Sequence, residues 1–249
     1  MKRLAILLVL GLTACEAQIK NAVKNNPEIV FQAIEEHPKE FVDIVNRAVQ
    51  AAQKQAYDQH VTETKTQQEK DIKDPKKPFL EEKRRLSGSP RGKIVLVEYG
   101  DFQCPPCGMA YAGLKKFKEV HKDDVQFYYK NMPLDFHHMA MPSGKYYEAV
   151  FKQGADKAQK FYDYVFTHQR ELDDSLLKKA VVIAGADPAK VERDMKSDSV
   201  KSQIEADIAE FNKLGFTGTP GLIINGVALE GAQSYDELER VLALTEARR

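Results

Sequence analysis

Cys104 and Cys107 are separated by two residues at the point where an apolar run, residues 94–99, gives way to an amphipathic one, residues 109–120. That pattern predicts a strand, a turn and a helix, with a dithiol at the turn. A thiol at a helix start lies near unsatisfied N–H groups and the positive end of the helix dipole, which favours its thiolate. The thiolate is the nucleophile in sulfur chemistry. Cys104 is therefore the expected exposed nucleophile, and Cys107, one turn into the helix and covered by it, the expected resolving thiol. The reaction implied is thiol–disulfide exchange through a mixed disulfide. A zinc site would need four ligands, and the sequence has no second Cys-x-x-Cys and no His-x-x-x-His. A purely structural disulfide closing so short a loop would constrain little of the unfolded chain. The chemistry calls for no metal and no cofactor.

The remaining cysteine, Cys15, belongs to a different signal. Lys2-Arg3, the apolar residues 4–12 and the small residues of Leu12-Thr13-Ala14-Cys15 have the form of a secretory signal peptide over residues 1–15. The apolar stretch is too short for a spanning helix, which needs about 20 residues. Leu-Thr-Ala-Cys resembles a bacterial lipobox, whose cysteine carries lipid and becomes the mature N-terminus; the alternative is ordinary cleavage near Ala14. Both predict an exported protein of the bacterial periplasm or cell envelope, in a compartment that permits disulfides. Lys plus Arg and Asp plus Glu are both 37, so the balanced charge leaves no footprint for nucleic acid or an anionic membrane surface. Any membrane attachment is by the lipid alone.

The elements that must position the dithiol follow from periodicity. Val23, Val30, Ile34, Phe41, Ile44, Val45, Ala48 and Ala52 recur at helical spacing. Pro27 and Pro38 each suit a first turn, predicting helices over residues 27–36 and 38–60. Residues 16–62 cannot enclose a core of their own, so their apolar stripe packs on the rest of the chain or, as an oligomerisation segment, on another copy. Residues 63–85 turn to Lys, Glu, Gln, Asp and Thr and read as a solvated helix tail running into a charged linker. Residues 86–92 carry turn chemistry. Residues 125–129 form a second strand after a helix, hence a parallel βαβ unit. Helical patterns fill residues 161–166, 176–184 and 191–211. Residues 221–224 and 227–230 flank Asn225-Gly226 as a type I′ hairpin, and a capping box at Ser234 opens a last helix.

Taken together, Glu98-Tyr99-Gly100-Asp101-Phe102-Gln103-Cys104-Pro105-Pro106-Cys107, Pro133-Leu134-Asp135-Phe136-His137 and Gly218-Thr219-Pro220 resemble DsbA-like proteins of the thioredoxin superfamily. The resemblance implies an α/β chain: a thioredoxin fold over residues 86–249, with a helical domain inserted at about 138–214, and an N-terminal α-helical extension. It implies that Pro220 is a cis-proline facing the disulfide, with the Thr219 backbone available to pair with an extended substrate. It implies that Glu98 is a buried acid under the dithiol and Lys130 its partner; a plain Glu–Lys salt bridge is the other reading of those two residues. The pair Pro105-Pro106 departs from the more familiar Pro-His. Neither proline has an N–H to offer Cys104, so the thiolate is expected to be less stabilised and the protein less oxidising.

The implied activity is a protein disulfide oxidoreductase or isomerase acting on unfolded or misfolded secreted proteins. It would work with a membrane redox partner and as a homo-oligomer, a dimer in the simplest case, through residues 19–60. The competing class is a lipid-anchored envelope assembly or surface binding protein that uses the fold for interaction.

Overall fold

The computed structural model describes residues 22–247; the expected signal peptide and the lipobox Cys15 lie outside the described residues. The described residues divide into two compact units, 22–62 and 63–247. In the first, α1 spans Glu28–Glu36 after Pro27 at its N-cap, and α2 starts at Pro38. Proline's fixed φ suits both starts, where a missing N–H costs no intrahelical bond. None of the residues of α1 is buried. The large apolar side chains Ile29, Val30, Phe31, Phe41, Ile44 and Val49 are exposed.

The helix α2 runs on to Lys73, so the helix tail expected beyond residue 60 takes up about half of the stretch 63–85. The charged stretch contains strong helix formers, an i,i+4 bond from Gln67 Nε2 to Asp71 Oδ1 at 2.8 Å, and no Gly or Pro before Pro75. Nor is it wholly solvated. Gln68 and Asp71 are buried: Asp71 Oδ2 accepts from the Ala228 N–H at 2.9 Å, and Gln68 Oε1 accepts from Arg240 Nη2 at 2.7 Å. The connecting segment is therefore shorter than expected and is tied down as well, with Lys76 N donating to Gly226 O at 2.8 Å.

Within the second unit a five-stranded sheet has the order β1-β3-β2-β4-β5. Its strands are β1 (Ser87–Gly88), β2 (Ile94–Gly100), β3 (Val125–Asn131), β4 (Gly221–Ile224) and β5 (Val227–Glu230). The strands β2 and β3 are parallel, joined by α3 (Pro105–Val120); the other pairings are antiparallel. The pair β4–β5 turns on Asn225 and Gly226, both with positive φ, as the type I′ turn requires. The inserted helices are α4 (Ala140–Phe151), α5 (Ala155–Thr167), α6 (Asp174–Ile183), α7 (Pro188–Asp194) and α8 (Asp198–Leu214). The closing helix α9 (Tyr235–Glu246) is capped by Ser234, whose hydroxyl accepts from Glu237 N. The thioredoxin fold with a helical insertion is the one expected.

Side chains alternate across the sheet, and this separates two cores. Ile94, Leu96, Phe127, Tyr129, Leu222 and Ile224 pack with α3, α9 and the inserted helices. Val97, Tyr99, Tyr128 and Ile223 pack on the other face with Phe211 and Phe216. Glu98 falls on the first face and Lys130 on the second.

Candidate active site

Cys104 is the N-cap of α3, and Pro105 opens the helix. Both thiols are free. Cys107 is fully buried and Cys104 retains only 4% of its surface, so the first thiol is less open than expected. The backbone explains the closure: the Cys104 thiol lies 3.4 Å from the carbonyl oxygen of Thr219, and the Thr219–Pro220 bond is cis. Pro105 and Pro106 form the exposed rim.

The two thiols sit in opposite electrostatic settings. The Cys104 thiol is brought down to about 6, first by a hydrogen bond from the Cys107 thiol and then, against the penalty of burial, by Thr219 and the Cys107 N–H. Burial, followed by the proximity of Cys104 and Glu98, pushes the Cys107 thiol well up. Stabilisation of the first thiolate thus comes from its own partner across one helical turn and not from the Pro-Pro pair.

Glu98 is fully buried, and burial raises its carboxyl to about 7 against the pull of Tyr162 and Lys118. Tyr162 on α5 donates to Glu98 Oε2 at 2.6 Å; Oε1 has no hydrogen-bond partner. Gly100, two residues along on the same face, leaves the room this needs. A Cβ there would stand 2.7 Å from the Tyr129 ring and 3.1 Å from Glu98 Oε1.

Lys130 is not the partner of Glu98. It pairs in register with Tyr99, on the opposite face of the sheet, where its Nζ donates to Glu210 and to the Phe79 carbonyl. The cation on the face of Glu98 is Lys118 from α3, with Nζ 4.0 Å from the Phe127 ring centroid and 4.7 Å from that of Tyr162. That nitrogen is buried without a hydrogen-bond partner, and desolvation lowers it to about 8 while Asp163 and Glu98 oppose the shift. The signal was present in the sequence: Cys107, Tyr111, Leu114 and Lys118 follow the spacing of one helix face, and a lysine in that stripe must face the interior.

A family model described as thioredoxin matches residues 80–243. The chain belongs to the thioredoxin family. Among curated relatives, the Na(+)/H(+) antiporter NhaA 1 of Mycolicibacterium gilvum is 28% identical over 67% of this chain, but the match covers only 27% of that protein. Probable disulfide bond formation protein D of Bacillus cereus is 26% identical over 56% of this chain and 68% of its own length. The crystal structure of the thiol-disulfide exchange protein alpha-DsbA2 from Wolbachia pipientis superposes with a TM-score of 0.58 at 21% identity, covering 77% of this chain and 98% of that one. These similarities bear out the resemblance read from the motifs.

Three polar anchors of this thioredoxin-family dithiol were not legible as such in the sequence. Gln169, from the insertion, donates through Nε2 to Phe102 O at 3.0 Å and to Cys104 O at 2.8 Å. Gly108 admits it, since a Cβ there would meet Gln169 Oε1 at 2.1 Å. Asp101, fully buried as a side chain, accepts from Gln103 N at 2.7 Å, Leu134 N at 3.1 Å and His137 Nδ1 at 2.7 Å. Tyr162 reads only as part of an apolar helix face until α5 is laid against β2. Around them Phe102, Tyr129, Tyr147, Phe161 and Phe166 form an aromatic cluster. Such a low-dielectric setting accounts for the raised Glu98 and Cys107.

Proposed function

We propose that the chain is an exported protein thiol–disulfide oxidoreductase of the DsbA type, which forms and isomerises disulfides in secreted proteins through Cys104 and Cys107. One observation carries this reading: two free thiols open α3, with Cys104 Sγ 3.4 Å from the carbonyl of Thr219 before cis-Pro220 and Cys107 fully buried behind it. In oxidation, a substrate thiolate attacks Cys104 Sγ of the disulfide and the Cys107 sulfur leaves, taking a proton from Glu98. A second substrate thiolate then attacks the substrate sulfur of the mixed disulfide and releases the Cys104 thiolate. The substrate loses two electrons and the dithiol gains them. In isomerisation, the Cys104 thiolate attacks a wrong substrate disulfide, and the mixed disulfide is resolved by a substrate thiolate. If none arrives, Cys107 gives its proton to Glu98 and displaces the substrate. Pairing of an extended substrate with the Thr219 backbone beside Cys104 fits the short distance between them.

Re-oxidation falls to a membrane redox partner. Attachment through a lipid on Cys15 and assembly into a homo-oligomer complete the reading. The exposed apolar side chains of α1 and α2 support assembly through a second copy, because solvated Phe31, Phe41 and Ile44 cost hydration that a like face would remove. Joining active sites around one cleft raises the local thiolate concentration, which isomerisation needs.

The test is twofold. Full-length protein should catalyse insulin reduction and recover activity from scrambled ribonuclease, and deletion of residues 16–60 should leave the first intact while abolishing the second and yielding a monomer by light scattering. Failure of the full chain in both assays would favour the binding-protein alternative. A monomeric full chain would remove the oligomer from the proposal.

A further inference from the structure

The loop following β3, residues 132–139, is bonded to the active-site turn at more points than chain geometry demands. Asp101 is the centre. Its backbone N–H points at Cys107 Sγ at 3.5 Å, and its carbonyl accepts from Cys104 N at 3.1 Å. Its Oδ2 accepts from Leu134 N and, at 2.7 Å, from His137 Nδ1. Gln103 adds a second tie, its Oε1 accepting from Met139 N at 2.6 Å and its Nε2 lying 3.3 Å from His138 Nδ1. Asp101 therefore meets both cysteines through its backbone, while its carboxylate, held by Gln103 N and Leu134 N, carries a histidine on Oδ2.

Asp101 carries the charge that opposes the Cys104 thiolate. The Pro105-Pro106 pair places no imidazole inside the turn, so an imidazole arriving from the neighbouring loop is the nearest titratable counterweight. The titratable groups facing Asp101 are Cys104 and Cys107 from the start of α3, Tyr129 from β3 and His137 from the loop. His137 faces Asp101 and the ring of Phe136, with exposed Asp135 and His138 as its near neighbours in sequence.

We propose that His137 is a tuning residue of the dithiol. Its imidazole on Asp101 Oδ2 offsets the carboxylate's charge when protonated and leaves that charge uncompensated when neutral, so the Asp101–His137 pair sets how readily Cys104 holds its thiolate. The proposal rests on Cys104 being the attacking thiol of the function proposed above. Protonated His137 favours the reduced, thiolate form, and a change of pH across the imidazole's titration alters the reduction potential beyond what the thiol protons alone would do. Electrons still pass only between the dithiol and its substrate; His137 exchanges a proton with water.

The experiment follows the rate of Cys104 alkylation against pH in reduced full-length protein, read by mass. His137→Gln keeps a donor for Asp101 and removes the charge. It should move the Cys104 midpoint upward by about half a pH unit or more. In an Asp101→Asn background the same substitution should have no effect, because the imidazole then has no carboxylate charge to offset. A Cys104 midpoint unchanged by His137→Gln, or the same shift in both backgrounds, would overturn the proposal, the latter by showing a packing effect. Should the variants fail to fold, NMR titration of His137 in the wild-type chain decides. A higher midpoint in the reduced than in the oxidised form supports the linkage, and identical curves sink it. Loss of insulin reduction with an intact Cys104 titration would count against the oxidoreductase reading and leave this proposal standing.

Discussion

The hydroxyl of Tyr162, in the inserted helical domain, donates to Glu98 Oε2 on the central strand of the sheet at 2.6 Å. The insertion thus completes the surroundings of the acid beneath the dithiol. Without this bond, burial would act on the carboxyl with only the charge of Lys118 against it.

Because Glu98 is raised to about 7 in the folded chain and sits near 4.3 in an unfolded one, the native state holds the extra proton between those values. The associated stability is fully present below about pH 4.3 and is lost as pH climbs through 7. Glu98→Gln removes this dependence. Denaturant melts should show the variant gaining on the wild type by on the order of 2–3 kcal/mol between pH 4.5 and 8, while its mixed disulfides resolve slowly. A constant stability difference across that range would mean that Glu98 titrates normally.

Tyr162 and Lys118 both hold the Glu98 carboxyl down. Tyr162→Phe or Lys118→Met should therefore move the pH profile of mixed-disulfide resolution upward and lower the rate near pH 7. Lys130→Met, whose charge answers Glu210 on the other face, should cost stability without moving the profile. Stopped-flow measurement of substrate release separates the two outcomes.

The Cys107 thiol is the first cause of the low Cys104 value. Cys107→Ala should trap mixed disulfides with substrate proteins, whereas Cys104→Ala should trap none. The trapping variant should itself need a pH above 6 for half-maximal alkylation of Cys104. Cys107→Ser, which keeps a hydroxyl donor, should fall between wild type and Cys107→Ala.

Gly108 lies in a helix, where alanine would ordinarily gain roughly 1 kcal/mol. Here the added Cβ meets the Gln169 side chain at 2.1 Å. Gly108→Ala should be destabilising in the wild type and neutral or stabilising once Gln169→Ala has cleared the space, a double-mutant cycle readable by thermal melts. Additive effects would mean that the Gln169 clamp yields freely.

Pro106→His introduces an N–H and an imidazole at the turn. The Cys104 midpoint should fall below about 6 and the protein should become more oxidising, as measured against glutathione. No change in the midpoint would leave control with Cys107, Thr219 and Asp101.

The local features of this chain were determined by residues close together in sequence. The strand–turn–helix around Cys104, the Asn225-Gly226 hairpin, the Ser234 cap and the proline starts of α1 and α2 all rest on propensity, capping and turn geometry acting within a few residues. The polar residue at position 98 was also legible as a buried acid, by resemblance. Its cation was not. Strand alternation carries Lys130 to the far face, and only the β2–β3 register, a tertiary fact, reveals that. Lys118, Tyr162, Gln169 and His137 lie 20 to 71 residues from Glu98 along the chain. They meet the dithiol or its acid because α3 packs Lys118 against β3 and the insertion, the insertion folds back over β2 and the loop after β3 closes on Asp101. Apart from Lys118, whose helix stripe turns it inward, their side chains carry no local periodicity that distinguishes a partner of the site from a packed or solvated neighbour. The charged stretch beyond residue 62 teaches the same lesson: its composition reads as solvated, yet Gln68 and Asp71 are buried because the edge strand β5 offers an N–H to Asp71 and Arg240 reaches Gln68. Backbone propensity acts over short chain distances, whereas burial, charge pairing and thiol ionisation depend on what the folded chain brings to within a few ångströms.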